Sequence, residues 1–74
     1  MTYGCVLINV DNGKVTQVLE KIRRIEGVMD AFECFGRFDI VVLIQTNDVS
    51  ELAMITAEIN SIEGVDKTET LVAS

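Results

Sequence analysis

The chain has 74 residues, of which 49% are hydrophobic and 24% are charged, and it contains no proline. This composition is typical of one small globular domain and argues against a disordered segment or a flexible linker. The two cysteines and the lack of histidine exclude a disulfide framework and a histidine-based metal or catalytic site. The formal net charge of −6 disfavours direct binding to nucleic acid.

The first half of the sequence predicts a strand, a helix and a second strand. Residues 4–10 are apolar and rich in β-branched side chains, as strands are. Residues 11–13, Asp-Asn-Gly, predict a turn. We expect Gly27 to end the helix in the left-handed conformation and residues 29–35 to form the second strand. The helix itself is predicted by apolar residues at three- and four-residue spacing: Val15, Val18, Leu19, Ile22 and Ile25.

The second half predicts the same order of elements. Residues 38–46 read as a strand, and Asp48 followed three residues later by Glu51 is typical of a helix start. Gly64 is expected to end this helix, and residues 65–73 to form the last strand. The apolar stripe of the helix consists of Leu52, Ile55, Ile59 and Ile62.

A repeated segment links the two halves. Residues 25–28, Ile-Glu-Gly-Val, recur as residues 62–65, which is an offset of half the chain length. The apolar positions of the helices and first strands share this register. We therefore predict a single domain, 1–74, that is internally duplicated as 1–37 and 38–74.

Two successive strand-helix-strand units with short links predict an α+β fold. Because parallel crossovers are right-handed, both helices should cover the same face of the sheet. The expected architecture is the ferredoxin-like βαββαβ sandwich, a four-stranded antiparallel sheet with two helices on one face and the first and third strands at the centre.

The face that the helices leave open is expected to be apolar. A strand with one wet face alternates apolar and polar residues, but residues 5–8 and 40–44 are unbroken apolar runs. Several exposed side chains of this kind favour a second copy packed sheet to sheet, giving a homodimer. The alternative is a monomer whose open face is merely apolar.

The order and spacing of five segments resemble the ligand-binding domain of the Lrp/AsnC transcription regulators over essentially the whole chain. Full-length members carry a DNA-binding helix-turn-helix ahead of this domain. The present sequence begins at the first strand, so we expect a stand-alone or an excised effector domain. The five segments are residues 6–10 (Val-Leu-Ile-Asn-Val), 25–28, 36–40 (Gly-Arg-Phe-Asp-Ile), 62–65 and 68–72 (Thr-Glu-Thr-Leu-Val).

The resemblance implies a binding site and an assembly. Domains of this family dimerise through their sheets, form rings of dimers that are commonly octamers, and bind small effectors, usually amino acids, in clefts between dimers. The resemblance implies that the loop 36–39 and the last strand form this site. The candidate ligand-binding residues are Gly36, Arg37, Phe38, Asp39, Thr68 and Thr70.

The chemistry of these side chains suits a zwitterion. Asp39 would pair with the ammonium group, and backbone amides near Gly36 would bind the carboxylate, with the Arg37 guanidinium as a second donor. Phe38 would line the side-chain pocket, and the hydroxyls of Thr68 and Thr70 lie on one face of a strand. Each also has a structural alternative: a turn glycine, a solvated arginine, a packing aromatic, a turn-capping aspartate and ordinary strand threonines. Family members often carry tyrosine in place of Phe38.

We predict an amino-acid-binding and oligomerisation module that modulates transcription, with no enzymatic activity, cofactor or metal. The longest apolar run is five residues and no signal peptide is present, so a cytoplasmic location without membrane contact is expected. No aromatic residue lies within the predicted first strand, which argues against an RNA-recognition sheet. The alternatives are a structural module that co-assembles with full-length regulators without binding a ligand, and an ACT-like regulatory domain.

Overall fold

A computed structural model describes residues 1–73 of the chain. The element order is strand, helix, strand, strand, helix, strand, as the sequence predicts. The bounds are β1 Thr2–Val10, α1 Val15–Arg23, β2 Val28–Glu33, β3 Ile40–Thr46, α2 Val49–Asn60 and β4 Val65–Ala73.

The four strands form one antiparallel sheet in the order β2-β3-β1-β4. The first and third strands of the chain are therefore central, and the ferredoxin-like α+β prediction is confirmed. The two halves have matching element orders, whereas the internal duplication itself stays a prediction. Among residues 1–73, no helix is long and apolar enough to cross a membrane.

The core lies between the sheet and the two helices. Alternate residues of β1 and β3 point into it, and Ile8, Ile40 and Val42 are completely buried there. Val18 and Ile22 of α1 fill the same layer, as do Leu52 and Ile59 of α2. The apolar stripes predicted for both helices therefore face the sheet, but Ile25 and Ile62 lie beyond the helix ends, where they pack against the core. Burial of each such side chain contributes about 1.5–3 kcal/mol to the free energy of unfolding.

The start of α2 matches the expected capping pattern. The Asp48 side chain accepts a hydrogen bond from the Glu51 amide at 2.9 Å. The Glu51 carboxylate in turn accepts one from the amide of Asn47 at 3.3 Å, one residue earlier than in the usual capping box. By contrast, α1 begins at Lys14 without a side-chain cap.

Several element boundaries differ from the predicted ones. The helices end at Arg23 and Asn60, and the two expected stop glycines lie in the turns that follow, with φ of 100° and 105°. The strand β2 spans Val28–Glu33 rather than 29–35. The strand β3 begins at Ile40 rather than at residue 38, because the preceding loop bonds to the end of β1.

The first strand begins earlier than predicted and contains an aromatic residue. Pairing of Tyr3 with Gln45 and Ala73 extends β1 back to Thr2, so the expectation of no aromatic residue in this strand is wrong. Gly4 lies on the helix-covered face, where a Cβ atom would come within 2.6 Å of Leu52 Cδ1. A larger residue at this position would therefore require the buried Leu52 side chain to shift.

Candidate functional site

The open face of the sheet is apolar over its two central strands, and each edge strand adds apolar side chains beside charged ones. The register places Phe32, Val41 and Leu7 side by side, and it places Leu43, Cys5 and Leu71 in the next row. Tyr3, Phe32, Leu43 and Leu71 are between 39% and 54% exposed. The prediction of an apolar open face is confirmed. A contiguous exposed surface of this kind is typical of a protein interaction site.

The second candidate site is the loop between β2 and β3, which crosses one end of the sheet. Several hydrogen bonds hold its backbone. The Asp39 amide donates to the Ile8 carbonyl at 2.8 Å, and the Cys34 amide donates to the Asp39 carbonyl at 2.9 Å. The Asn9 side-chain amide donates to the Arg37 carbonyl at 2.7 Å. The loop is therefore fixed against β1, on the side of the open face where Asn9 lies.

The carboxylate of Asp39 takes part in this attachment. Its Oδ2 accepts a hydrogen bond from the Val10 amide at 2.8 Å, and the side chain is half-buried. Among residues 1–73, the Oδ1 atom has no hydrogen-bond partner. The Asp39 carboxylate thus bonds to the end of β1 rather than to the backbone of its own turn. Its Oδ1 atom retains the capacity to accept a hydrogen bond.

The other loop residues differ in how they are presented. Gly36 has a φ of 118°, and a Cβ atom added there would meet nothing within 4 Å, so it is a turn glycine with open space around it. The Arg37 side chain is exposed. Phe38 is half-buried, and its carbonyl accepts a hydrogen bond from the Cys34 thiol at 3.2 Å. The exposed Arg37 guanidinium therefore lies next to open space at Gly36.

The two threonines lie on the opposite face of the sheet from this loop. The register pairs Thr68 with Ile8 and Thr70 with Val6, which both point toward the helices. The Thr68 hydroxyl bonds to the Asn60 side chain of α2 at 2.8 Å. Within one chain, the structure therefore does not bring the threonine hydroxyls together with residues 36–39.

The structure contains two grooves that the sequence did not predict. One of about 550 Å³ and a smaller one of about 290 Å³ lie at the other end of the sheet, beside the start of α2. None of the six predicted ligand residues lines them. The larger groove is bordered by Glu26, Gly27, Gln45, Glu51, Met54 and Glu58. These residues are scattered along the sequence, so no local motif marks them.

The described side chains offer no site for a metal ion. Within residues 1–73, no three His, Cys, Asp or Glu side chains lie close enough to hold one. The structure presents an apolar open face and a polar loop that is fixed to the end of β1. Together with the βαββαβ sandwich, these features define a small α+β domain of the ferredoxin-like class.

The family comparison agrees with this class. The model of the Lrp/AsnC ligand binding domain matches residues 4–74, and the chain belongs to this family. It is 34% identical over 67 residues to the HTH-type transcriptional regulator FL11 of Pyrococcus furiosus, covering 90% of this chain and 44% of that protein. The chain thus spans about half the length of this relative. The fold also matches the crystal structure of TTHA0845 from Thermus thermophilus, with 35% identity, a TM-score of 0.95 and coverage of 100% and 94% of the two chains.

A further similarity involves an enzyme. The chain is 37% identical over 59 residues to the homocitrate synthase of Sulfolobus acidocaldarius, which covers 80% of this chain and 13% of that enzyme. So small a share of the enzyme does not carry its activity over to the present chain. The family match is to a ligand-binding domain of transcription regulators.

Proposed function

We propose that this domain binds a free amino acid at residues 36–39 and reports it through assembly with further copies of the domain. The observation that carries the proposal is the half-buried Asp39, which is anchored to β1 through one carboxylate oxygen while the other oxygen has no partner among the described residues. An anchored carboxylate is preorganised to accept a hydrogen bond from an ammonium group. Membership of a family of ligand-binding domains supports the same assignment.

The neighbouring groups would bind the rest of the ligand. The exposed backbone at Gly36 leaves space for a carboxylate to approach the amides, and the exposed Arg37 adds a guanidinium. Phe38 would contact the ligand side chain. Because Thr68 and Thr70 lie on the other face of their own sheet, the proposal assigns their hydroxyls to a ligand held by the loop of a different copy.

Assembly is the second part of the proposal. The exposed apolar side chains of the open face favour a homodimer in which two sheets pack face to face, and rings of such dimers, commonly octamers in the family, would create clefts between copies. Ligand binding in such a cleft would change the stability of the ring. The proposal places this process in the cytoplasm, where a regulator meets free amino acids.

Replacing Asp39 with Asn tests the ligand site. Asparagine retains an oxygen for the Val10 amide but removes the negative charge, so the fold should persist. A hydrogen bond to a charged group contributes about 1.5–3 kcal/mol, and we expect calorimetry against the twenty amino acids to show binding that is about tenfold to a hundredfold weaker. Matched controls are Glu33→Gln and Glu69→Gln, which remove other carboxylates.

The outcomes separate the alternatives. Unchanged affinity in Asp39→Asn together with weaker binding in either glutamate variant would move the ammonium partner to that glutamate. A large loss of thermal stability in Asp39→Asn would show that the charged carboxylate supports the fold and that its main role is structural. If no amino acid binds the parent protein, the ligand proposal is wrong.

A role in transcription would pass through a protein partner. The formal net charge of −6 opposes binding to the phosphate backbone, so we expect no shift of a DNA duplex at nanomolar protein and physiological salt. Co-assembly with full-length regulators would supply DNA contact, because their domains of this family would present the same kind of sheet face. A duplex that shifts with the isolated chain would contradict this part of the proposal.

The similarity to part of homocitrate synthase supports a second candidate function, regulation of an enzyme by a domain of this type. This candidate uses the same ligand chemistry but a different partner. Affinity capture followed by identification of the bound chain distinguishes the two: a DNA-binding regulator supports the first and a metabolic enzyme supports the second.

A further inference from the structure

The two edges of the sheet differ in how their backbone groups are satisfied. At the β2 edge, the Ala31 carbonyl accepts hydrogen bonds from Nε and Nη2 of Arg23, at 3.0 and 2.7 Å. The Ala31 amide donates to the Asp30 carboxylate at 2.9 Å, and the strand has an irregularity between Val28 and Asp30. Side chains of the same chain therefore bond to both backbone groups of Ala31 in the middle of this edge, which disfavours pairing with another strand.

The direction of the backbone amides and carbonyls of β4 follows from the register of β1. The Ile8 carbonyl accepts from the Asp39 amide and the Val10 amide donates to the Asp39 side chain, so the even-numbered residues of β1 direct their backbone groups toward β3. The odd-numbered residues of β1 direct theirs toward β4. Leu7 pairs with Glu69, so Glu69 and its odd-numbered neighbours bond to β1.

The even-numbered residues of β4 consequently direct their amides and carbonyls away from the sheet. These residues are Thr68, Thr70 and Val72. Within residues 1–73, none of these backbone groups has a hydrogen-bond partner. The strand has nine residues, and its pairing with β1 is regular from Lys67 to Ala73. Unlike β2, this edge is long and open, which is the geometry that accepts an added strand.

We propose that the β4 edge pairs antiparallel with β4 of a second copy, around a two-fold axis at Thr68. This axis would place Thr68 opposite Thr68 of the second copy as a hydrogen-bonded pair. It would also place Lys67 opposite Glu69 of the second copy, and Glu69 opposite its Lys67. The two sheets would join into one continuous sheet of eight strands.

Charge selects this register. The side chains of Lys67 and Glu69 are exposed and share the open-face side of β4. A two-fold axis at Lys67 would place the lysines of the two copies opposite each other, and an axis at Glu69 would do the same with the glutamates. Like charges directly opposite each other destabilise strand pairing. An axis at Thr70 would place Glu69 opposite Leu71 and form no ion pair. Of these four registers, only the axis at Thr68 places a lysine opposite a glutamate, and it does so at two positions.

This interface is separate from the packing of two open faces. It uses outward backbone groups, whereas the face dimer uses side chains such as Leu43 and Leu71. The edge would therefore join face dimers into larger assemblies, and it does not depend on ligand binding. Because Lys67 and Glu69 also lie on the open-face side of β4, a substitution at Thr70, whose side chain lies on the other face, is needed to separate the two interfaces.

Two charge variants test the register. In Lys67→Glu, the new glutamate of each copy would face Glu69 of the other copy. In Glu69→Lys, the new lysine of each copy would face Lys67 of the other copy. We expect each variant alone to show edge association that is about tenfold or more weaker in sedimentation velocity. A mixture of the two opposes unlike charges at both positions, so we expect the mixture to regain the wild-type assembly.

The control pair carries the same changes in charge away from the edge. Lys21→Glu and Glu20→Lys alter exposed residues of α1, and they should leave assembly unchanged both alone and mixed. Equal behaviour of the two pairs would show that net charge rather than register controls association, which would overturn the proposal.

A proline tests the backbone contacts directly. Thr70→Pro removes an outward amide that is not bonded to β1, so the fold is retained while pairing at the edge is blocked. We expect slow hydrogen exchange at the Thr68 and Thr70 amides of the wild-type assembly, and loss of protection at Thr68 in Thr70→Pro. Rapid exchange of both amides in the assembled wild-type protein would overturn the proposal. So would an assembly that Thr70→Pro leaves intact, or pairing of the edge with an extended segment of another protein instead.

Discussion

The two faces of the central sheet use the same strands and similar side chains but end in different surroundings. Ile8 is completely buried against the helices, whereas its neighbour Leu7 lies on the open face beside Val41. Val42 is likewise completely buried, while Leu43 is 39% exposed. The pleat of the strand thus places adjacent residues of similar hydrophobicity on opposite faces of the sheet.

This difference shows that hydrophobicity alone does not define the core of one chain. The two helices cover one face only, so half of the apolar residues of β1 and β3 lie outside the monomer core. A small domain buries only about 60% of its unfolded surface, and a second copy would bury more. The fold of a single chain therefore does not explain the open face, whereas the proposed face dimer would cover it.

The largest loss of stability is expected for a substitution on the helix-covered face. Ile8→Ala should lower the free energy of unfolding by about 2–5 kcal/mol, because a buried side chain is removed and a cavity remains. Chemical denaturation at several protein concentrations measures this loss. Leu7→Ala is the matched control from the next position, and in dilute protein it should cost distinctly less. Equal losses would mean that a single chain already packs its open face.

A charge on the open face should act on association instead. Leu43→Asp would bury an unpaired carboxylate in the face dimer, and loss of one apolar contact of about 1.5–3 kcal/mol already weakens association about tenfold to a hundredfold. Light scattering across a dilution series measures the dissociation. Met54→Asp, on an exposed position of α2, is the control and should leave the mass unchanged. A wild-type protein that is a stable monomer at micromolar concentration would rule out the face dimer.

A smaller change in stability is expected where β1 packs against α2. Gly4→Ala should destabilise the fold by about 1–3 kcal/mol, because the added Cβ would lie 2.6 Å from Leu52 Cδ1. Leu52→Ala opens a cavity next to the same point. The double variant should be more stable than the sum of the single effects, by about 0.5–3 kcal/mol. Strict additivity in thermal unfolding would show that Leu52 moves aside without cost.

Much of the fold followed from local patterns in the sequence. Apolar spacing predicted both helices and their inward faces, and the Asp48 pattern located the start of α2. Boundaries were less well predicted where long-range pairing decides them. Tyr3 joins β1 because Gln45 and Ala73 lie opposite it, and residues 38 and 39 leave the β3 ladder because Asp39 bonds to β1.

The candidate site was predicted in its chemistry but not in its arrangement. The sequence alone indicated a loop with glycine, arginine and aspartate, and the structure shows how Asn9 and Val10 hold this loop. That Thr68 and Thr70 lie on the opposite face could not be read from their spacing, because it depends on the register between β1 and β4. A shift of one residue in that register would reverse the face.

Periodicity and composition were enough to predict the order of elements, the apolar stripes of the helices and the excess of apolar residues in the central strands. The packed structure was needed to show which strand edge is closed by Arg23 and Asp30, which edge is open, and which oxygen of Asp39 is already bonded. These features join residues far apart in the chain. They depend on strand order and register, which are set by packing of the whole sheet against its helices.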